Sequence, residues 1–243
     1  MISEREIAEK FTVIWKQNFP LLTSGYIRVF NATQLEIINS NLVPTNDNVR
    51  YDLVSESAFN LSNIAISESC TPSEYLSNTS NKEKLIASTA KSIWKSGNFK
   101  KEDLTLSKDE LESIVLISKN ILEFIRKVGD NNIIFKPKLK GYSFIPDLVA
   151  DISIDDTLYE IKTVNRNFQS SDLKQLLIYL ALKQVSEQTT WSYAGLYNPR
   201  KGTYCRFNVR NLVYNISGGK TPNEAFEGLL NGLVRDIEID SKF

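Results

Sequence analysis

The sequence predicts a mixed α/β (α+β) fold, a strand-rich core flanked by helices and preceded by a mostly helical segment. Three observations predict it. Apolar residues recur with a helical period over 108–128, and after Gly129 the period changes to the alternation of strands. Helix starts are marked by Ser3–Glu6, Thr71–Glu74, Ser107–Glu110 and Thr221–Glu224, each a hydroxyl cap followed three residues later by glutamate. Residues 107–209 then read, in order, as helix, three strands, helix, strand, strand.

Taken along the chain, Ile2 and Ile7 form a hydrophobic staple around the first cap, and Ile7, Phe11, Ile14 and Trp15 make one apolar stripe. Asn31–Gln34 reads as a short helix start, with one strand near Tyr26–Phe30. Pro44–Asn48 reads as a loop. Leu111, Ile114, Val115, Ile121, Leu122, Ile125 and Val128 give the helix after Ser107 a broad apolar face, closed by Gly129-Asp130-Asn131. Strands follow at 132–139, 144–154 and 157–164, with Gly141 and Asp155-Asp156 at the turns. Ser170-Ser171-Asp172 caps a helix to about 186, and strands return at roughly 190–197 and 203–209. The expected organisation is a helical extension over 1–106 and a core over 107–243 that ends in a helix.

Composition narrows the function. The chain has 243 residues, 42% of them hydrophobic, and no apolar run long enough to cross a membrane. The charged start M-I-S-E-R-E-I lacks the apolar region of a signal peptide, so a cytoplasmic location is expected. Cys70 and Cys205 lack zinc or disulfide spacing and read as inert thiols. There is no histidine, which removes the Ser-His-Asp and Cys-His schemes and the histidine-based metalloproteases. A metal would have to be held by carboxylates and carbonyls, which suits Mg2+ or Mn2+. With net charge zero, phosphate contacts would need local patches such as Lys136, Lys138 and Lys140, or Arg200, Lys201, Arg206 and Arg210. Trp15, Trp94 and Trp191 read as core residues rather than base-stacking platforms.

The chemistry concentrates between Lys140 and Tyr179. Glu160 and Lys162 lie two apart on a strand and leave the same face, while Ile161 turns inward and offers its backbone carbonyl. Gln175 and Tyr179, at i and i+4, share a helix face beside the apolar Leu173, Leu176, Leu177 and Leu180. Together with Pro146-Asp147, these residues resemble the PD-(D/E)XK nuclease superfamily in its RecB-like form with a QxxxY motif. The resemblance covers about 107–209. It implies a restriction-endonuclease-like core and a metal-dependent DNA nuclease acting in phage defence, restriction or DNA repair. It also implies that Asp147 and Glu160, with the Ile161 carbonyl, bind Mg2+ or Mn2+, that Lys162 assists the attacking water, and that Gln175 and Tyr179 line the site.

Two points stay open. If Asp155-Asp156 is a two-residue hairpin turn, Asp151 faces Glu160, and Asp147 lies on the order of 13 Å further along. Asp151 therefore rivals Asp147. The family also adds a glutamate from its first helix. Chain direction points to the start of the helix after Ser107, where Glu110 is engaged in its cap, so Glu112 is the choice; Glu56 is the alternative if the first 100 residues supply that helix. No dedicated DNA-reading motif is present, so specificity would come from DNA ends, DNA structure or a partner protein, and a homodimer is compatible. The rival function is a catalytically silent nucleic-acid-binding or scaffold subunit.

Overall fold

A computed structural model describes residues 3–45, 48–94, 104–129 and 131–240. In it a six-stranded mixed sheet separates two layers of helices. The strand order is β1 (Glu36–Ile37), β8 (Thr203–Asn208), β7 (Tyr193–Asn198), β6 (Thr157–Ile161), β5 (Ile152–Ile154), β2 (Ile133–Phe135). All neighbouring pairs are antiparallel except β6–β7. A parallel pair needs a crossover, and α8 (Ser170–Glu187) supplies it. With α7 (Lys108–Val128) ahead of β2, the helix, strands, helix, strands order read from the sequence is present.

Successive strand residues face opposite layers. Leu158, Ala194, Leu196 and Cys205 point to one core, shared with α1 (Glu4–Lys10), α2 (Thr12–Asn18), α3 (Ser24–Thr33), α8, α9 (Val209–Ser217) and α10 (Pro222–Asp240). Ile152, Ile154, Tyr159 and Tyr197 point to the other, shared with α4 (Tyr51–Ser67), α5 (Pro72–Ser77), α6 (Thr79–Ile93) and α7. The Phe124 ring of α7 stacks on Tyr197 at 3.9 Å and meets Tyr159 edge-on at 5.0 Å, locking this layer to the sheet. The described residues of the first 106 are mostly helical, but they are built into both layers: α1 packs on α8, α2 on α10 and α4 on α7. No described helix is long and apolar enough to cross a membrane. Cys70 and Cys205 are free thiols, and Trp15 and Trp191 are core residues.

Some local readings change. Residues 26–30 are helical, not a strand, because Thr23 caps α3 by accepting from the Tyr26 N–H and Ile27 and Phe30 bury at helical spacing. Asn31 therefore lies in the last turn of α3 rather than opening a helix; its side chain bonds Ile27 O, Phe168 O and Phe168 N. The stripe from Ile7 to Trp15 spans two short helices that break at Phe11. Gln169, not Ser170, caps α8, with Asp172 completing its box. Ile2, Asn46, Asp47 and Asp130 lie outside the described residues.

The strands expected at 132–139 and 144–154 are one bent antiparallel ribbon. The register of Ile133 with Ile154 continues unshifted to β3 (Lys138–Leu139) and β4 (Leu148–Val149), which form a separate two-stranded sheet. The bend falls at Lys136, whose φ is 53°, followed by Pro137. Beyond it Leu139, Leu148 and Ala150 join the core of α8.

Arg50, just before α4, and Glu110, in the first turn of α7, join the two helices. The Arg50 Nε and Nη2 donate to Glu110 at 2.7 Å each, and Glu110 also accepts from the Ser107 N–H at 2.9 Å. Burial pulls the Glu110 carboxyl up, but these bonds outweigh it and hold it down at about 2. A depressed carboxyl adds stability above its unfolded value of 4.5 that is lost as pH falls through about 2. Glu110→Gln should therefore cost about 3 kcal/mol at neutral pH, with the gap from wild type closing in acid. Urea titrations across pH test this; equal midpoints at neutral pH would refute it.

Candidate active site

The site begins with the β5–β6 hairpin. Asp155, at φ 51°, and Asp156 make the two-residue turn, so Ile154 pairs with Thr157 and Ile152 with Tyr159. The next facing pair is Asp151 and Glu160. Here the chain turns away: the Asp151 carbonyl accepts from the Lys136 N–H at 2.8 Å, and the Ala150 N–H donates to Pro137 O. The Asp151 carboxylate instead takes the Ile161 N–H at 2.6 Å. Because a strand residue's N–H and C=O point to the same side, the Ile161 carbonyl also faces this end of β5.

Glu160 is 2% exposed. Its Oε1 accepts from Lys162 Nζ at 2.7 Å, its buried Oε2 receives no N–H donor, and the Asp151 carboxyl lies within hydrogen-bonding reach of Glu160. Lys162 Nζ also donates to Gln175 Oε1 at 2.5 Å, and Gln175 Nε2 donates to the Tyr179 hydroxyl at 2.9 Å. The helical spacing of Gln175 and Tyr179 and the strand spacing of Glu160 and Lys162 thus meet face to face. Burial pushes the Glu160 carboxyl up, and the charge of Asp151 pushes it further, against Lys162. Asp151 is raised by the same burial, partly offset by the Ile161 N–H and Lys162. Burial works against the Lys162 ammonium, but Glu160 beside it more than compensates and raises it.

Glu56, on α4, is drawn to this end of the sheet. It accepts from Lys136 Nζ at 2.6 Å, the same lysine whose backbone N–H bonds Asp151. Its negative charge adds to the upward push on Asp151. The helix that adds a glutamate to this end is therefore α4. Glu112 is exposed on α7 and pairs with Lys108 at 3.8 Å; Glu110 is committed to Arg50. Asp147 is exposed and bonds the Gly141 N–H at 2.8 Å, closing the tip of the β3–β4 ribbon. The structure thus brings Asp151, Glu160, Ile161, Lys162, Gln175 and Tyr179 together, places Glu56 alongside, and leaves Asp147 and Glu112 elsewhere.

A cavity of about 310 Å³ opens beside Lys162 and Gln175 and is also lined by Arg5, Arg166, Gln169 and Asp172. Arg166 bonds both Asp172 oxygens, at 2.6 and 2.9 Å, and Asp172 accepts the Gln169 N–H, so this wall is fixed to the start of α8. A cavity of about 500 Å³ by α5 and α7 contains none of these residues. The expected basic patches disperse. Lys136 turns to Glu56 while Lys138 and Lys140 are exposed; Arg200 is buried over the Tyr51 ring, and Arg206 stacks on Tyr193. Arg5 and Arg166 carry no sequence signal beyond their charge. Asp151 was legible in the hairpin count.

Raised carboxyls bind more protons in the folded than in the unfolded chain. Their contribution is fully present below the unfolded values of 3.8 and 4.5 and is lost as pH rises through the raised folded values. Glu160→Gln removes a charge that burial and Asp151 disfavour, and should be more stable than wild type at alkaline pH by about 1–2 kcal/mol. Thermal melts without divalent metal check this; a large loss of stability at every pH would mean that Glu160 is a structural ion-pair partner. No family model, curated protein or solved structure matches the chain.

Proposed function

We propose that this chain is a metal-dependent nuclease that hydrolyses phosphodiester bonds in DNA. The observation that carries the reading is the buried Glu160–Lys162 pair, joined to Gln175 and Tyr179 on one side and faced by Asp151 on the other. The sequence of α7, three antiparallel strands, α8 and a parallel β7 supports it, being the order expected of a restriction-endonuclease-like core.

The residues fit a hard cation. Among the described residues no three His, Cys, Asp or Glu side chains form a metal-holding group, so an all-protein cage is not the arrangement. Mg2+ is commonly held by one or two carboxylates, keeping waters and substrate oxygens for the rest. Asp151, Glu160 and the Ile161 carbonyl supply such a set, and Glu160 Oε2, which receives no N–H donor, is a buried acceptor that a cation would satisfy. When bound, the cation lowers the pKa of its water and offsets charge on the phosphate.

The chain's own groups do the positioning. Lys162 has three N–H donors, and two are spent on Glu160 and Gln175. The third is available to a water or phosphoryl oxygen at the adjoining cavity. Gln175, oriented by Tyr179, keeps the ammonium from collapsing fully onto Glu160. Arg5 and Arg166 stand where flanking phosphates would pass.

Cleavage of linear and circular DNA with Mg2+ or Mn2+ tests the reading. Lys162→Ala, Glu160→Ala and Asp151→Asn should each lose about 100-fold or more, while Asp147→Asn should stay within a few-fold of wild type. Wild type that binds DNA but cuts nothing with either metal would make the chain a silent binding subunit instead.

A further inference from the structure

Lys136 stands at the bend of the β2–β3 ribbon with φ 53°, a conformation that costs a non-glycine residue about 1 kcal/mol or more. From there it makes two connections at once. Its N–H donates to the Asp151 carbonyl at 2.8 Å. Its Nζ donates to Glu56 Oε1 at 2.6 Å and Asn60 Oδ1 at 3.0 Å, and lies 5.6 Å from the centre of the Phe59 ring. One residue thus ties α4 to the ribbon at Asp151.

The pair is half in solvent, the side chains being 44% and 32% exposed for Lys136 and Glu56. An ion pair so exposed adds little stability, and its lysine can swing into water at small cost. The charges beside it are unbalanced. Glu56, Asp151 and Glu160 bring three carboxylates to this end of the sheet, against the ammonium groups of Lys136 and Lys162. A divalent cation added to that set leaves an excess of positive charge unless one ammonium departs. Lys162 is 17% exposed and held by both Glu160 and Gln175, so Lys136 is the one free to leave.

Resting on the metal-dependent reading above, we propose that Lys136 is a resident counter-cation that holds Glu56 beside Asp151 and competes with a divalent cation for it. The lysine keeps the acidic end of the sheet ordered when no metal is bound. It also weakens metal binding, so that a phosphate bringing its own charge favours the loaded site.

Mn2+ alone is the probe, with the free ion read by electron paramagnetic resonance at neutral pH. Lys136→Met keeps the apolar stem over Phe59 and should bind Mn2+ about tenfold more tightly than wild type. Asn60→Ala, which removes one partner of the ammonium, should shift affinity the same way by less, and serves if the Met variant fails to fold. With Glu56→Gln, the effect of Lys136→Met should largely vanish, as expected of two groups that act on each other. Mn2+ uptake by wild type that is unchanged or weakened in Lys136→Met, or an equal gain with Glu56→Gln, overturns this proposal and leaves the nuclease reading standing. No uptake by wild type or by any variant overturns both.

Discussion

Two carboxylates face one another at the end of the β5–β6 hairpin, and one of them, Glu160, is buried with an oxygen that receives no N–H donor. Such an oxygen costs about 1–3 kcal/mol, and Asp151 adds like-charge repulsion. Lys162 repays part of this, but a well-packed apolar pair of the same volume would be as stable or more so. Stability alone therefore does not account for the arrangement, whereas a cation drawn to it would. The surroundings act to hold the pair in place: the Ile161 N–H fixes Asp151, Gln175 fixes Lys162, and Tyr179 fixes Gln175.

That arrangement depends in turn on where the neighbouring ribbon bends. Had β5 run straight on into β4, the Ile161 N–H would have met a backbone carbonyl and the Asp151 side chain would have been free. Instead Ala150 turns its N–H to Pro137 O, and the Asp151 carboxylate substitutes for the missing strand partner. The same bend carries Asp147 to the ribbon tip. There Gly141 approaches so closely that a Cβ would lie 2.3 Å from the Ile145 carbonyl oxygen, and Asp147 caps the Gly141 N–H.

What the sequence made legible follows the range of each cause. Caps are local, and the boxes at Ser3, Thr71 and Ser107 form as read, as do the reciprocal bonds of Thr221 and Glu224. The Asp155-Asp156 turn is local too, and counting back from it places Asp151 opposite Glu160. The ribbon bend is not local: it depends on a left-handed Lys136, a residue type that does not announce that conformation. Nor is the choice of Glu56 over Glu112. It depends on α4 and α7 running side by side in the same direction, with Arg50 at Glu110 and Ser62 at Ser118, and nothing near either glutamate encodes that pairing. The strand read near Tyr26–Phe30 is a helix because the burial of Ile27 and Phe30 that favours it comes from distant segments.

The N-terminal helices cannot be treated as an appendage to the stretch that carries Glu160 and Gln175. Ile7, Ala8, Ile14, Trp15 and Phe19 share one core with Leu173, Leu176 and Leu177 of α8, the helix that presents Gln175 and Tyr179. An α8 apolar on nearly every side requires cover on both faces, the sheet on one and α1 and α10 on the other. On the opposite layer, α4 positions Glu56 and receives Lys136. Arg5 of α1 borders the cavity next to Lys162. The candidate site thus draws on α1, α4, the bent ribbon, β6 and α8 together. Removing residues 1–106 would strip apolar cover from α8 and take away one of the three carboxylates, so the smallest unit able to hold this chemistry is larger than the stretch that carries its motifs.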